Sequence, residues 1–217
     1  MGLDLAASSI QFFLIACLEL LFVILPLIIM RYRFKKNPKT ELKNRLLVFP
    51  RSWWRRIFDI LIGILIGFLF IPMGNQISQF TYQITVHFMG VEYYQQAVEG
   101  SVNVTPPSLS NFELFISILI MFLLVAFSEE FCFRGVIYRE IAKKSIFLGV
   151  FSSSFFFALY HVFPGIVPIR TFFVFWPYYF TFGIVLALVT FIQKGDLLTA
   201  LFAHGTFNSI LFILQYT

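Results

Sequence analysis

The chain has 217 residues, of which 59% are hydrophobic and 12% charged, with a formal net charge of +5. A soluble domain carries about a quarter charged residues, so this balance, with 31 phenylalanines, excludes an ordinary globular enzyme and a soluble nucleic-acid binder. It indicates a polytopic membrane protein. Six spans of ~20 residues would use about 120 residues, leaving one membrane domain and no separate soluble catalytic domain.

The apolar run over residues 10–30 is too long for the hydrophobic part of a cleaved signal peptide and lacks a basic leader. It reads as a retained first span over residues 8–30, ending at Arg31. Ten of the sixteen Lys and Arg fall between Arg31 and Arg56, as expected of a cytoplasmic loop under the positive-inside bias, which puts the amino terminus outside. Attraction to anionic lipid head groups follows from the same charge. A second span over residues 57–73 contains Gly63 and Gly67, a GxxxG spacing that permits close helix contact. Residues 74–110 are mixed in character and read as an external, partly helical stretch on the interface. Spans three to six follow over residues 112–138, 145–163, 171–192 and 197–214. Trp176, Tyr178 and Tyr179 stand near the outer end of the fifth. The sequence thus predicts an all-α, polytopic transmembrane helix bundle of about six spans with a basic cytoplasmic loop. It forms a single membrane domain, with residues 1–111 as accessory spans and loops and residues 112–217 as the core that holds most of the intramembrane polar groups. Cys17 and Cys132 have no CxxC partner and read as small core residues.

Within span three, Ser128-Glu129-Glu130-Phe131-Cys132-Phe133-Arg134 puts two carboxylates and a guanidinium into a segment otherwise fit for lipid. Ionisable groups at that depth cost roughly 2.5–3.5 kcal/mol each on insertion scales and are commonly functional. Glu130 and Arg134 stand at i and i+4 in the favoured order, so Arg134 neutralises Glu130 and Glu129 is left for chemistry. A purely structural ion network of all three is the competing reading. His161 lies 16 residues after Ser145 and Glu129 lies 16 before it. A hairpin turning at Ser145 would return both to the same height, since helical rise is proportional to residue count. His204 and Asn208, also at i and i+4, share a face of span six, where a polar pair could equally glue helices together. Gly205 would let another backbone or a peptide approach closely. Glu19, in the first span, could be protonated, pair with Arg134 or line the site. His87 has no partner, and Asp59 and Glu113 sit near span ends where solvation is available.

Glu129-Glu130-x-x-x-Arg134, Phe157-x-x-x-His161 and His204-x-x-x-Asn208, in that order and each in an apolar helix, resemble the motifs of the CPBP family. That family comprises the type II CAAX prenyl endopeptidases and related bacterial bacteriocin-processing and self-immunity proteins. The resemblance covers residues 112–214 and implies an intramembrane peptidase with a conical cavity opened to the cytoplasm. It implies that Glu129 and His161 hold and deprotonate the attacking water. His204 and Asn208 would donate hydrogen bonds to the oxyanion, with Glu130 and Arg134 in support. A Zn²⁺ held by Glu129, His161 and His204 is the alternative. HExxH is absent, however, and Asn is a poor zinc ligand, which favours metal-free catalysis without a cofactor.

The leading expectation is therefore an endopeptidase of a cell membrane acting on a short peptide precursor or a CAAX-like, lipid-modified carboxy terminus. Membrane lipids would be its surroundings and nucleic acid no partner. Small size and Phe/Ile-rich composition suggest a bacterial member, favouring peptide maturation. A non-catalytic self-immunity or scaffold protein is the second class. A proton-relaying transporter is the third, although no repeated halves of the kind transporters show are present.

Overall fold

The computed structural model describes residues 14, 16–46, 51–101 and 110–214, and no strand occurs among them. The helices are α1 (Leu21–Phe34), α2 (Pro38–Leu46), α3 (Trp53–Met89), α4 (Val91–Glu99), α5 (Asn111–Ala142), α6 (Ile146–His161), α7 (Ile169–Ile192) and α8 (Leu198–Leu214). The protein is all-α, and α3, α5 and α7 are long and apolar enough to cross a membrane, while α6 and α8 are shorter apolar helices. This agrees with an integral membrane helix bundle. It differs from six equal spans in how the apolar length is divided.

Two boundaries depart from the sequence reading. The expected first span lies largely outside the described residues, and its described part runs on past Arg31 to Phe34 as α1. The second span does not end near residue 73. It continues through Pro72 to Met89, giving a 37-residue helix about 55 Å long, well beyond a ~30 Å hydrocarbon core. The polar residues after Gly74 are compatible with helix, and the stop comes only at Gly90, whose φ of +87° is one that side-chain-bearing residues rarely adopt. The external stretch expected over residues 74–110 is thus the end of α3 followed by α4, with residues 102–109 outside the described set.

Helix α5 starts at a reciprocal cap in which Ser110 accepts from the Glu113 backbone N–H and the Glu113 side chain accepts from that of Ser110. Two stretches, Met121–Val125 and Phe131–Tyr138, have the wider i→i+5 turns of a π-helix. Such turns rotate the side chains that follow and recur at functional positions. Carbonyls of the second stretch take donors from other elements: Phe133 O accepts from Ser153 Oγ at 2.9 Å, and Gly135 O from Arg45 Nη1 at 2.7 Å.

The GxxxG pair fixes the neighbour that matters for the site. A Cβ on Gly63 would lie 2.6 Å from Thr199 O, and one on Gly67 would lie 2.6 Å from Ala203 O. Helix α8 is therefore pressed against α3 just before His204. The core behind it is aromatic: Phe70, Phe133, Phe157, Phe182 and Phe207 cluster with Leu186, Ala200 and Ala203.

The opposite end is a basic collar. Arg139 donates to the carbonyls of Asn44, Arg45 and Gly195, Arg45 pairs with Glu41 and Glu140, and Arg56 pairs with Asp196. The basic segment is thus bound to the bundle. Asp59, expected to be solvated, has a side chain with 0% exposure and is paired with Arg51 and Arg55. It lies inside the collar, where two guanidiniums replace the missing water.

Candidate active site

Glu129 and Glu130 lie between the two π-type stretches of α5, with 3% and 0% exposure. Arg134, also 0% exposed, donates from Nη1 to Glu130 Oε1 at 2.8 Å and from Nη2 to Gly183 O of α7 at 3.1 Å. Its guanidinium carbon stands 4.4 Å from the centre of the Phe157 ring, a cation–π contact that offsets some of the cost of burial. The i,i+4 pairing is the one expected from spacing. The sequence did not reveal a third member: His204 Nδ1 lies 2.8 Å from the same Glu130 Oε1. No local spacing could have shown it, because it joins α5 to α8 across 74 residues.

The two imidazoles are placed differently. His161 Nδ1 is 2.9 Å from Phe157 O, and a carbonyl only accepts, so the Nδ1 proton is fixed there. In the neutral ring the lone pair is then on Nε2, which stands 3.8 Å from Glu129 Oε2. His204 Nε2 stands 3.9 Å from that same oxygen. Glu129 Oε2 is buried and has no hydrogen-bond partner among the described residues. The structure therefore brings Glu129, His161 and His204 together around one carboxylate oxygen. Asn208, one turn after His204, is half-buried, and its side chain makes no hydrogen bond among the described residues. Glu130 and Arg134 form the wall behind His204.

Neighbouring residues change several sequence readings. Tyr179, expected at an outer interface, stacks on His161 with ring centres 4.5 Å apart and 27° between planes. A cavity of about 600 Å³ lies beyond it, bordered by Asn75, Ser78, Tyr178, Tyr179 and Leu211. Gly205 meets the Phe122 ring, to which a Cβ would be 2.7 Å, so its small size serves packing between α8 and α5. Glu19 accepts from the Tyr160 hydroxyl, beside His161, and Phe22 packs against Tyr160 and Phe133. Cys17 and Cys132 are free thiols. As for a metal, no group of three or more His, Cys, Asp or Glu among the described residues has a metal-cage arrangement.

The shared Glu130 oxygen gives a stability prediction. Removing one partner of a buried ion pair leaves the other uncompensated, at about 3–5 kcal/mol. Glu130→Ala should therefore destabilise the protein by roughly that amount in a denaturation series, and more than Glu129→Ala, whose carboxylate holds no hydrogen-bonded cation. Equal, small losses for both would contradict the pairing.

Residues 111–210 match the model of a family described as Rce1-like, type II CAAX prenyl endopeptidase Rce1-like. No curated protein and no solved structure matches the chain. The matched segment runs from the start of α5 into α8 and so spans Glu129, Glu130, Arg134, His161, His204 and Asn208. Residues 111–210, which hold the three motifs and make up just under half of this membrane protein, are thus similar to the Rce1-like, type II CAAX prenyl endopeptidase family.

Proposed function

We propose that the chain is an intramembrane endopeptidase whose Glu129 and His161 activate water and whose His204 and Asn208 stabilise the oxyanion. The observation that carries this reading is the approach of two imidazole Nε2 atoms to within 3.9 Å of one buried carboxylate oxygen. Glu129 Oε2 and the bare Nε2 of His161 are both acceptors, 3.8 Å apart. One water satisfies both by donating an O–H to each at about 2.8 Å, and its lone pairs then face away from them, toward a peptide carbonyl.

Attack transfers the water proton to Glu129 and forms the new C–O bond. The negative charge appears on the carbonyl oxygen. Asn208 offers an amide N–H, and His204 offers Nε2–H when its ring carries both protons. Its Nδ1–H is directed at Glu130. Fixed donors in a water-poor site stabilise an oxyanion more than water does. The C–N bond then breaks as Glu129 returns its proton to the leaving amine. The substrate in this reading is a short peptide precursor or a CAAX-like carboxy terminus, and no step needs a metal.

With a prenylated CAAX peptide, and with mass spectrometry of peptides accumulating in cells, Glu129→Gln and His161→Ala should each lower turnover by about 10²–10⁴ at normal protein levels. A chelator should leave the wild-type rate unchanged. Unchanged processing in both variants favours a non-catalytic self-immunity or scaffold protein. Stoichiometric zinc lost together with activity would establish the Zn²⁺ alternative.

Sidedness has its own test. The positive-inside bias puts the basic collar in the cytoplasm, and the resemblance implies an opening on that side, whereas Asn75 and Ser78 border the cavity beside Tyr179 far along α3 from the collar. On sealed vesicles, an impermeant thiol reagent should label Lys43→Cys from the cytoplasmic side and Ser78→Cys from the other. Cleavage of peptide presented only on the cytoplasmic side supports the cytoplasmic opening; cleavage only from the other side contradicts it and assigns access to the cavity.

A further inference from the structure

The basic collar contains a cavity of about 380 Å³ lined by Arg51, Arg55, Ile192, Gln193 and Lys194. Behind its lining arginines lies the fully buried Asp59 carboxylate, with which both pair. Arg51 Nη1 donates to Asp59 Oδ2 at 2.6 Å and to Gln193 Oε1 at 2.7 Å, and Nη2 donates to Gln193 O at 2.9 Å. Gln193 Nε2 in turn donates to Thr199 Oγ1 at 3.1 Å. Arg51 thereby has three of its five N–H donors engaged inside the cavity wall. Arg55 is different: only its Nε faces Asp59, 3.2 Å from Oδ1, and its side chain is 50% exposed. Both terminal nitrogens of Arg55 and the ammonium of Lys194 have no partner among the described residues.

Two guanidiniums thus share one carboxylate and Lys194 adds a third cation to the cavity lining, with the unpaired ends of Arg55 and Lys194 on its exposed side. The surrounding surface is that of a lipid contact. Ile192 is 72% exposed on the cavity wall, and the Arg55 guanidinium lies 5.4 Å from the Phe58 ring. Trp53 and Trp54 are exposed at the start of the same helix, where tryptophan marks the membrane interface. A guanidinium fork matches phosphate oxygens two at a time, and an ammonium adds a point charge.

We propose that this cavity binds the phosphate of an anionic phospholipid, held by Arg55 and Lys194, with an acyl chain along Ile192. The apolar wall selects the lipid over a free phosphate, which would use the same two cations and leave that wall unoccupied. The site locks the α7–α8 turn to the start of α3, at the base of the helix that carries His204.

The test is a lipid titration of the purified full-length chain followed by native mass spectrometry, with phosphatidylglycerol, phosphatidylcholine and inorganic phosphate as separate probes. Phosphatidylglycerol should bind more tightly than phosphatidylcholine, and Arg55→Gln and Lys194→Asn should each weaken it about tenfold, the loss of one charge-assisted hydrogen bond. Asn tolerates the left-handed backbone at position 194 (φ 56°), so Lys194→Asn keeps the fold even if Arg55→Gln disturbs the Asp59 pairing. Lys43→Gln, an exposed cation outside the cavity, should leave the affinity unchanged. The proposal is overturned if phosphatidylcholine binds equally, if Lys194→Asn binds as the wild type does, or if Lys43→Gln weakens binding as much. Competition by inorganic phosphate at equal affinity would overturn the lipid as its source.

Discussion

One oxygen atom carries the arrangement: Glu130 Oε1 receives both the Arg134 guanidinium and His204 Nδ1, each at 2.8 Å. That atom joins α5 to α8 inside a region where an unpaired charge would cost several kcal/mol. Arg134 extends the junction to α7 through Gly183 O and to α6 through the Phe157 ring. Phe157 in turn fixes His161 through its carbonyl. Four helices are thereby referenced to one ion pair. Glu129, the residue just before it in α5, is the carboxylate this network leaves without a hydrogen-bonded cation.

Such a network needs close, dry packing around it, and small residues allow the helices to approach. Gly63 and Gly67 press α8 against α3 immediately before His204, so His204 cannot turn away from α5 without separating two helices. The aromatic core around Phe70, Phe182 and Phe207 keeps the surroundings apolar, which strengthens each polar contact and makes an unmade one costly. At the other end the collar of arginines uses a different solution. Asp59, Asp196, Glu41 and Glu140 tie the basic segment to the helix ends, and the remaining cations face outward.

How far the site could be read from sequence depended on whether its contacts were local. Glu130 with Arg134 is an i,i+4 relation and was legible. So was the common height of Glu129 and His161, because equal residue counts on either side of Ser145 mean equal rise along a helical hairpin. The Glu130–His204 contact was not, since it depends on the crossing of α5 and α8. Tyr179 was read as an interface residue because an aromatic residue in the first half of an apolar helix looks the same near a lipid interface as against an imidazole. The ends of α3 were misread because a run of Asn, Gln, Ser and Thr is polar without being helix-breaking, and only Gly90 carries a backbone signal to stop. Asp59 was misread because, although Arg55 at i,i+4 was legible, the contacts that bury it come from Arg51, outside the helix, and from Gln193 after α7.

The central claim is that Glu129 and His161 act on one water as a unit, and a double-mutant cycle on kcat/KM tests it most directly. Residues that act together lose nearly all of their joint effect when either is removed. The account predicts that Glu129→Gln with His161→Ala is no slower than the slower single variant. Multiplicative losses, with each substitution costing the same factor whether or not the other is present, would show two independent residues and contradict it.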